Sequence, residues 1–310
     1  MKGTILATPR SFAKEDATPQ HLLEGAGYTV VRNPVGQILT KRQMIEHIGG
    51  CVGVVLGVDP MDADVIDAAK ELRVISKYGV GTDNIDMQAA KKRGIEVTVT
   101  SGANSDAVAD YAFALMMAVA RRVVPIDRAC HNRDWSKQTS LDVFGRMLGV
   151  VGFGAIGRGV ALRGAHGFGM SVLAYDPVWD KTFAAKHGIR RATLEEIYKE
   201  CDFISLHIPL TEQTRGMIGA KQFEMMKPTA VLVNTARGGV VDEAALADAL
   251  RNKQIYGAGL DVFAQEPPEL EPLYGLENLV MGSHTAASTA GATANMGLMA
   301  ARNILRILKD

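Results

Sequence analysis

Cysteine is scarce: Cys51, Cys130 and Cys201 are the only three in 310 residues, odd in number and far apart. They form neither a disulfide framework nor a metal-ligand or redox pair spacing, and are expected as free buried thiols in a reducing cytoplasm. Long apolar runs are also missing. The longest candidate, Tyr111 to Ala120, falls short of the roughly 18 residues needed to cross a bilayer. The apolar stretch after Met1 is too short for a signal peptide. Net charge is absent, with 34 Lys+Arg against 34 Asp+Glu, so the electrostatic footprint of a nucleic-acid binder is missing. There is no internal repeat, low-complexity tract or Pro/Ser-rich linker. These absences leave a cytoplasmic chain with no nucleic-acid or membrane partner. Its 47% apolar and 22% charged residues argue against disorder, and its length suggests about two domains.

Short apolar, β-branched runs alternate with helical patterns from end to end. Thr4–Ala7, Thr29–Val31, Cys51–Leu56 and Val74–Ser76 read as strands, with helices over Ala63–Glu71 and Met87–Arg93. A second series begins at Met147. Leu148–Val151, Ser171–Tyr175, Phe203–His207, Ala230–Asn234 and Tyr256–Leu260 read as buried strands. Ile156–Gly164, Leu194–Lys199 and Glu243–Arg251 read as the helices between them. The pattern predicts an α/β fold with two doubly wound parallel sheets. Asp106–Arg122 is apolar enough for a buried helix, and Ala287–Lys309 reads as a long terminal helix.

Four motifs carry candidate chemistry. Gly152, Gly154 and Gly157 form G-x-G-x-x-G between a strand and a helix. That pattern allows a tight turn, backbone approach to a pyrophosphate and close helix packing, with the phosphate on the helix N-terminus. Asp176 ends the next strand, 19 residues beyond Gly157, where a carboxylate accepts from ribose hydroxyls and repels a 2′-phosphate. NAD is therefore favoured over NADP. Asn234-Thr235-Ala236-Arg237-Gly238-Gly239 lies at a strand's carboxyl end, where open α/β sheets bind ligands, and Arg237 can offer its planar fork to a carboxylate. Asp261-Val262-Phe263-Ala264-Gln265-Glu266-Pro267-Pro268 follows another strand, and Gly282-Ser283-His284 follows the apolar Leu279–Met281. Glu266 and His284 thus both lie near a strand end and can meet, and a carboxylate beside an imidazole stabilises the imidazolium that gives a proton to a carbonyl oxygen.

This ordered set closely resembles the D-isomer-specific 2-hydroxyacid dehydrogenase family over essentially the whole chain. The nearest branch is the short phosphoglycerate dehydrogenase-like proteins, without the regulatory domains of longer ones. The resemblance implies a flavodoxin-like substrate domain from residues 1–100 and 285–310, a Rossmann NAD-binding domain inserted over 101–284, and an active site in the cleft. It implies a homodimer through the NAD-binding domain, with the helix Asp106–Arg122 and the arm around Trp135 contributing. Arg237, Glu266 and His284 match the family's catalytic arginine, glutamate and histidine. Asp261 matches the acid that contacts the nicotinamide amide. Ala155 and Ile156 would lie against the pyrophosphate, His207, Ile208 and Pro209 on the adenine side, and Thr235 and Ala236 against the cofactor. Lys77-Tyr78-Gly79-Val80-Gly81 matches the substrate loop, whose Val80 and Gly81 amides would bind a carboxylate. No metal is expected. Ser283 stands where the family commonly has proline. Its presence disfavours formate oxidation, which would want glutamine there. Lys77 stands where phosphoglycerate enzymes often have arginine. The first expectation is hydride transfer between NAD(H) and a D-2-hydroxy acid/2-oxo acid pair, as in 3-phosphoglycerate dehydrogenase. The alternative is a glyoxylate/hydroxypyruvate reductase or another small 2-oxo acid reductase. A remote alternative is an NAD-sensing corepressor-like binding protein.

Overall fold

A computed structural model describes residues 2–309. The chain divides into two compact units: residues up to Asn104 with those from Ser288 on, and Ser105–Ala287 inserted between them. Among the described residues the first unit is built on β1 (Thr4–Ala7), β2 (Thr29–Arg32), β3 (Cys51–Leu56), β4 (Val74–Lys77) and β5 (Glu96–Val99). Their order is β2-β1-β3-β4-β5 and every pairing is parallel. This is the flavodoxin-like order, whose switch point falls between β1 and β3. Alternation along the strands feeds two cores. Ile5, Ala7, Val55 and Val74 pack with the terminal helix Ala290–Leu308. Leu6, Val54, Leu56 and Ile75 pack under the opposite helices, including Lys41–Ile48 and Ala63–Ala68.

The second unit carries β6 (Met147–Val151), β7 (Ser171–Tyr175), β8 (Arg190–Arg191), β9 (Phe203–Leu206), β10 (Val231–Asn234), β11 (Gly257–Leu260) and β12 (Leu279–Met281). They run β12-β11-β10-β9-β6-β7-β8, again all parallel. The order reverses between β6 and β9, the Rossmann switch point. Strands buried on both faces explain the continuous apolar runs. One face packs on helix Ser105–Ala120, the other on helices such as Leu194–Glu200 and Glu243–Arg251.

The helix expected to Arg122 stops at Ala120 because Arg122 adopts a left-handed conformation (φ 51°), and a second helix, Val123–His131, follows. The unit boundaries fall at 104/105 and 287/288 rather than 100/101 and 284/285. Thr100 is tied to Gly79, whereas Thr285 and Ala286 are held by Asp261. Cys51 and Cys201 are buried, but Cys130 is only half-buried. No helix among the described residues is long and apolar enough to cross a membrane.

One polar side chain is placed awkwardly by this packing. His207 follows β9 and donates its backbone N–H to Val151 O (2.7 Å). The residue as a whole is half-buried, its Nδ1 is buried, and its Nε2 lies against Ser205 Oγ (2.9 Å). Burial drives its pKa down from the ordinary 6.5 to about 3. The unfolded chain therefore binds a proton that the folded chain refuses between those values. Stability is expected to fall as pH drops through 6.5, with a slope of at most about 1.4 kcal/mol per unit from this residue, and the loss levels off near its folded value. Denaturant unfolding across that range should show a shallower fall for His207→Gln, and an unchanged slope would contradict the assignment.

Candidate active site

The sheet of the second unit delivers its functional loops from adjacent strands. β10, β11 and β12 are consecutive in the sheet, and being parallel they end on the same edge. Arg237 follows β10, Asp261 to Glu266 follow β11, and His284 follows β12.

Each loop is held by a side chain at its base. Asn234 is fully buried at the end of β10. It donates from Nδ2 to Arg237 O (2.8 Å) and accepts at Oδ1 from Ala236 N–H (3.0 Å), closing the loop through both ends of one amide. Arg237 is half-buried, with one Nη donating to Ala236 O at 2.7 Å. After β11, Asp261 is also fully buried. Its Oδ1 accepts from Thr285 N–H (2.9 Å), its Oδ2 from Ala286 N–H (2.8 Å), and its carbonyl from His284 N–H (2.7 Å). Burial pushes the Asp261 carboxyl above its ordinary value, and the two amides work against that rise. The resemblance gives this residue a contact with nicotinamide. In the structure it is the buried anchor of the histidine loop.

The clasp matters because His284 takes φ +56°, a left-handed conformation that a non-glycine residue adopts only when its surroundings hold it there. Gly282 is required two residues earlier, since a Cβ there would lie 2.3 Å from Asp261 Oδ1 and 2.7 Å from the Tyr111 hydroxyl. The result is a contact of 2.8 Å between His284 Nδ1 and Glu266 Oε2, with side chains 40% and 37% exposed and so within reach of a ligand. Glu266 Oε1 accepts from Phe263 N–H (3.1 Å). Burial raises the Glu266 carboxyl, but His284, the Phe263 amide and Arg237 together carry it below its ordinary value. An ionised Glu266 accepts only, so Nδ1 carries the proton and Nε2 is the nitrogen left for chemistry.

The glycine turn fits a dinucleotide. At Gly152 (φ +96°) a Cβ would meet His207 O at 2.4 Å, and at Gly157 it would meet Gly152 O at 1.9 Å. At Gly154 it would meet nothing within 4 Å, which leaves the turn's outer face open to a phosphate. Ala155 and Ile156 start the helix Ala155–Leu162, whose first turn has no side-chain cap, so its N–H groups remain to receive an anion. Asp176 braces this turn, accepting from Phe153 N–H (2.7 Å) and Val178 N–H (2.8 Å). Thr235 Oγ1 and His207 Nδ1 are buried with no hydrogen-bond partner among the described residues, and are polar atoms a bound cofactor can satisfy. Ile208 is buried, whereas Ala236 is half-buried and Pro209 exposed.

The substrate-loop residues lie in the first unit. Lys77 is only 6% exposed. Its ammonium donates to Gly57 O and to Asn84 Oδ1 (2.8 Å), so it braces the loop after β3 inside the unit. Tyr78 donates its hydroxyl to Thr293 O (2.7 Å) and packs edge-on against Phe12. Gly79 takes φ +137° and its N–H donates to Thr100 Oγ1 (2.8 Å). Val80 is exposed and Gly81 half-buried. Asn234 and Gly282 lie inside the quoted motifs, but their loop-holding roles depend on contacts made only in the fold.

The glycine turn yields a paired test. Gly154→Ala should leave thermal stability unchanged while weakening NADH binding about tenfold or more, because only the ligand meets the new methyl. Gly157→Ala should cost about 2 kcal/mol or more of stability through overpacking. Thermal melts with fluorescence titration of NADH check both, and wild-type NADH affinity in Gly154→Ala would contradict the cradle.

Comparison with known proteins finds relatives by sequence and by fold. The family model described as D-isomer specific 2-hydroxyacid dehydrogenase, NAD binding domain, matches residues 113–286. A glyoxylate reductase of Korarchaeum cryptofilum is 47% identical over 274 residues, 86% of this chain and 82% of that protein. A D-3-phosphoglycerate dehydrogenase of Methanocaldococcus jannaschii is 40% identical over 275 residues, 87% of this chain but 52% of that protein. The crystal structure of D-lactate dehydrogenase from Aquifex aeolicus, complexed with NAD and lactic acid, superposes with a TM-score of 0.84 at 28% identity, covering 98% of this chain and 95% of that one. With the dinucleotide turn, the arginine loop and the glutamate–histidine contact in place, the chain belongs to the D-isomer-specific 2-hydroxyacid dehydrogenase family and is an NAD-dependent oxidoreductase.

Proposed function

We propose that this chain reduces a small unphosphorylated 2-oxo acid, glyoxylate or hydroxypyruvate, to the corresponding 2-hydroxy acid. The observation that carries the substrate reading is Lys77. A phosphate anchor has to present its charge to the ligand, whereas this ammonium is buried and donates to Gly57 O and Asn84 Oδ1 within its own unit. That favours the reductase over the phosphoglycerate reading. The identity to a glyoxylate reductase over most of that protein's length supports the same choice, while the chain spans about half of the phosphoglycerate dehydrogenase it matches (52%).

NADH, when bound, supplies the hydride that adds to the carbonyl carbon. His284 gives the carbonyl oxygen a proton from Nε2, the nitrogen opposite the one held by Glu266. Glu266 keeps the ring in that tautomer and balances the imidazolium charge. Arg237, on the loop closed by Asn234, pairs with the substrate carboxylate and polarises the adjacent carbonyl. His284 is exposed enough to regain its proton from solvent. We also propose that the protein works as a homodimer. Helix Val123–His131 buries none of its residues, and Val123 and Trp135 are 53% and 82% exposed, an apolar strip suited to a second copy.

The test is NADH oxidation with glyoxylate, hydroxypyruvate and 3-phosphohydroxypyruvate in parallel. One of the first two should exceed the third by about tenfold or more in kcat/KM, a transition-state preference of about 1.4 kcal/mol. Equal or better turnover of 3-phosphohydroxypyruvate would overturn the reading.

A further inference from the structure

A second carboxylate beside the proton-transfer pair has no part in the mechanism above. Glu243 opens the helix Glu243–Arg251, just after its N-cap Asp242, and is half-buried. Its Oε1 accepts from Ala264 N–H at 2.6 Å. The preceding amide, Phe263 N–H, donates to Glu266 Oε1 at 3.1 Å. Two successive amides of one turn are therefore taken by two different carboxylates, and one of these holds His284. The arginine loop packs on the same turn: a Cβ on Gly238 would lie 1.8 Å from the Phe263 carbonyl carbon and 2.3 Å from Ala264 N. Residues 263 and 264 are thus the junction between the loop carrying Arg237 and the loop carrying Glu266, and Glu243 clamps that junction from the helix behind.

The electrostatics agree with the geometry. Burial raises the Glu243 carboxyl, the Ala264 amide opposes this, and the charges of Asp242 and Glu266 add to the rise. The charged groups that act on the pair or are acted on by it are Arg237 and Asp261 from their own loops and Glu243 from the helix; Asp242 acts on Glu243.

We propose that Glu243 is a positioning residue for the reaction: it fixes the 263–266 turn and adds negative potential at the Glu266–His284 pair. This rests on the reading of His284 as proton donor. The experiment uses Glu243→Ala and Glu243→Gln in the full chain, with His284→Ala as control, and measures kcat, KM for NADH and the pH profile of kcat/KM for reduction. Glu243→Ala should lose about tenfold or more in kcat without a change in KM for NADH, since the glycine turn after β6 is untouched. Glu243→Gln keeps an oxygen for the Ala264 amide and should recover most of kcat. With the charge gone, the protonated donor is less favoured, so the basic limb of its profile should move down by about half a pH unit. A purely structural residue would lower stability and leave that limb in place. Wild-type kcat and profile in Glu243→Ala would overturn the proposal. Should that variant fail to fold, an unmoved limb in Glu243→Gln would do so. Substantial turnover by His284→Ala would instead overturn the proton-donor reading. An inactive His284→Ala beside wild-type Glu243 variants would sink only the role of Glu243.

Discussion

The 2.8 Å contact between Glu266 Oε2 and His284 Nδ1 is the interaction that the rest of the second unit is arranged to hold. Neither residue lies on a helix or strand. Both are carried by loops, and loops alone position side chains poorly. The remedy is a parallel sheet that delivers β10, β11 and β12 to one edge in consecutive order, with a buried polar side chain locking each loop to its strand. Asn234 closes the arginine loop and Asp261 the histidine loop. A lone buried carboxylate would be costly; two backbone N–H groups reduce that cost, and a separate main-chain bond to His284 completes the clasp that holds a left-handed histidine.

The same device recurs in the first unit at the carboxyl ends of β1, β3 and β4. Thr8 bonds Asp59, whose other oxygen accepts from Leu39 N–H (2.8 Å), while Asn84 and Lys77 converge on Gly57 O. A buried polar network of this kind rigidifies only when its members are satisfied. Here it explains why a lysine that looks available in the sequence serves as a strut.

The strands buried on both faces were legible in the sequence because their apolar runs have no competing period, and the helix expected over Glu243–Arg251 has those bounds in the structure. The helix Lys41–Ile48 was not, since only Met44 and Ile48 are buried in an otherwise polar segment. Strand β5, Glu96–Val99, escaped notice for a related reason: it is a half-exposed edge of four residues. The site was legible as residue types in order. The side chains that hold it were not, because Asp261 to Ala286 and Glu243 to Ala264 are contacts across 25 and 21 residues that no local pattern encodes. The role of Lys77 depended likewise on Gly57 and Asn84, brought to it by the fold.

The most direct measurement is a double-mutant cycle on kcat with Glu266→Ala, His284→Ala and the double variant, using whichever 2-oxo acid turns over fastest. If Glu266 acts through His284, the double variant loses no more than His284→Ala alone, as for residues that work as a unit. If instead the two single losses multiply in the double variant, the carboxylate and the imidazole contribute independently, and the contact at the centre of this site does not carry the chemistry.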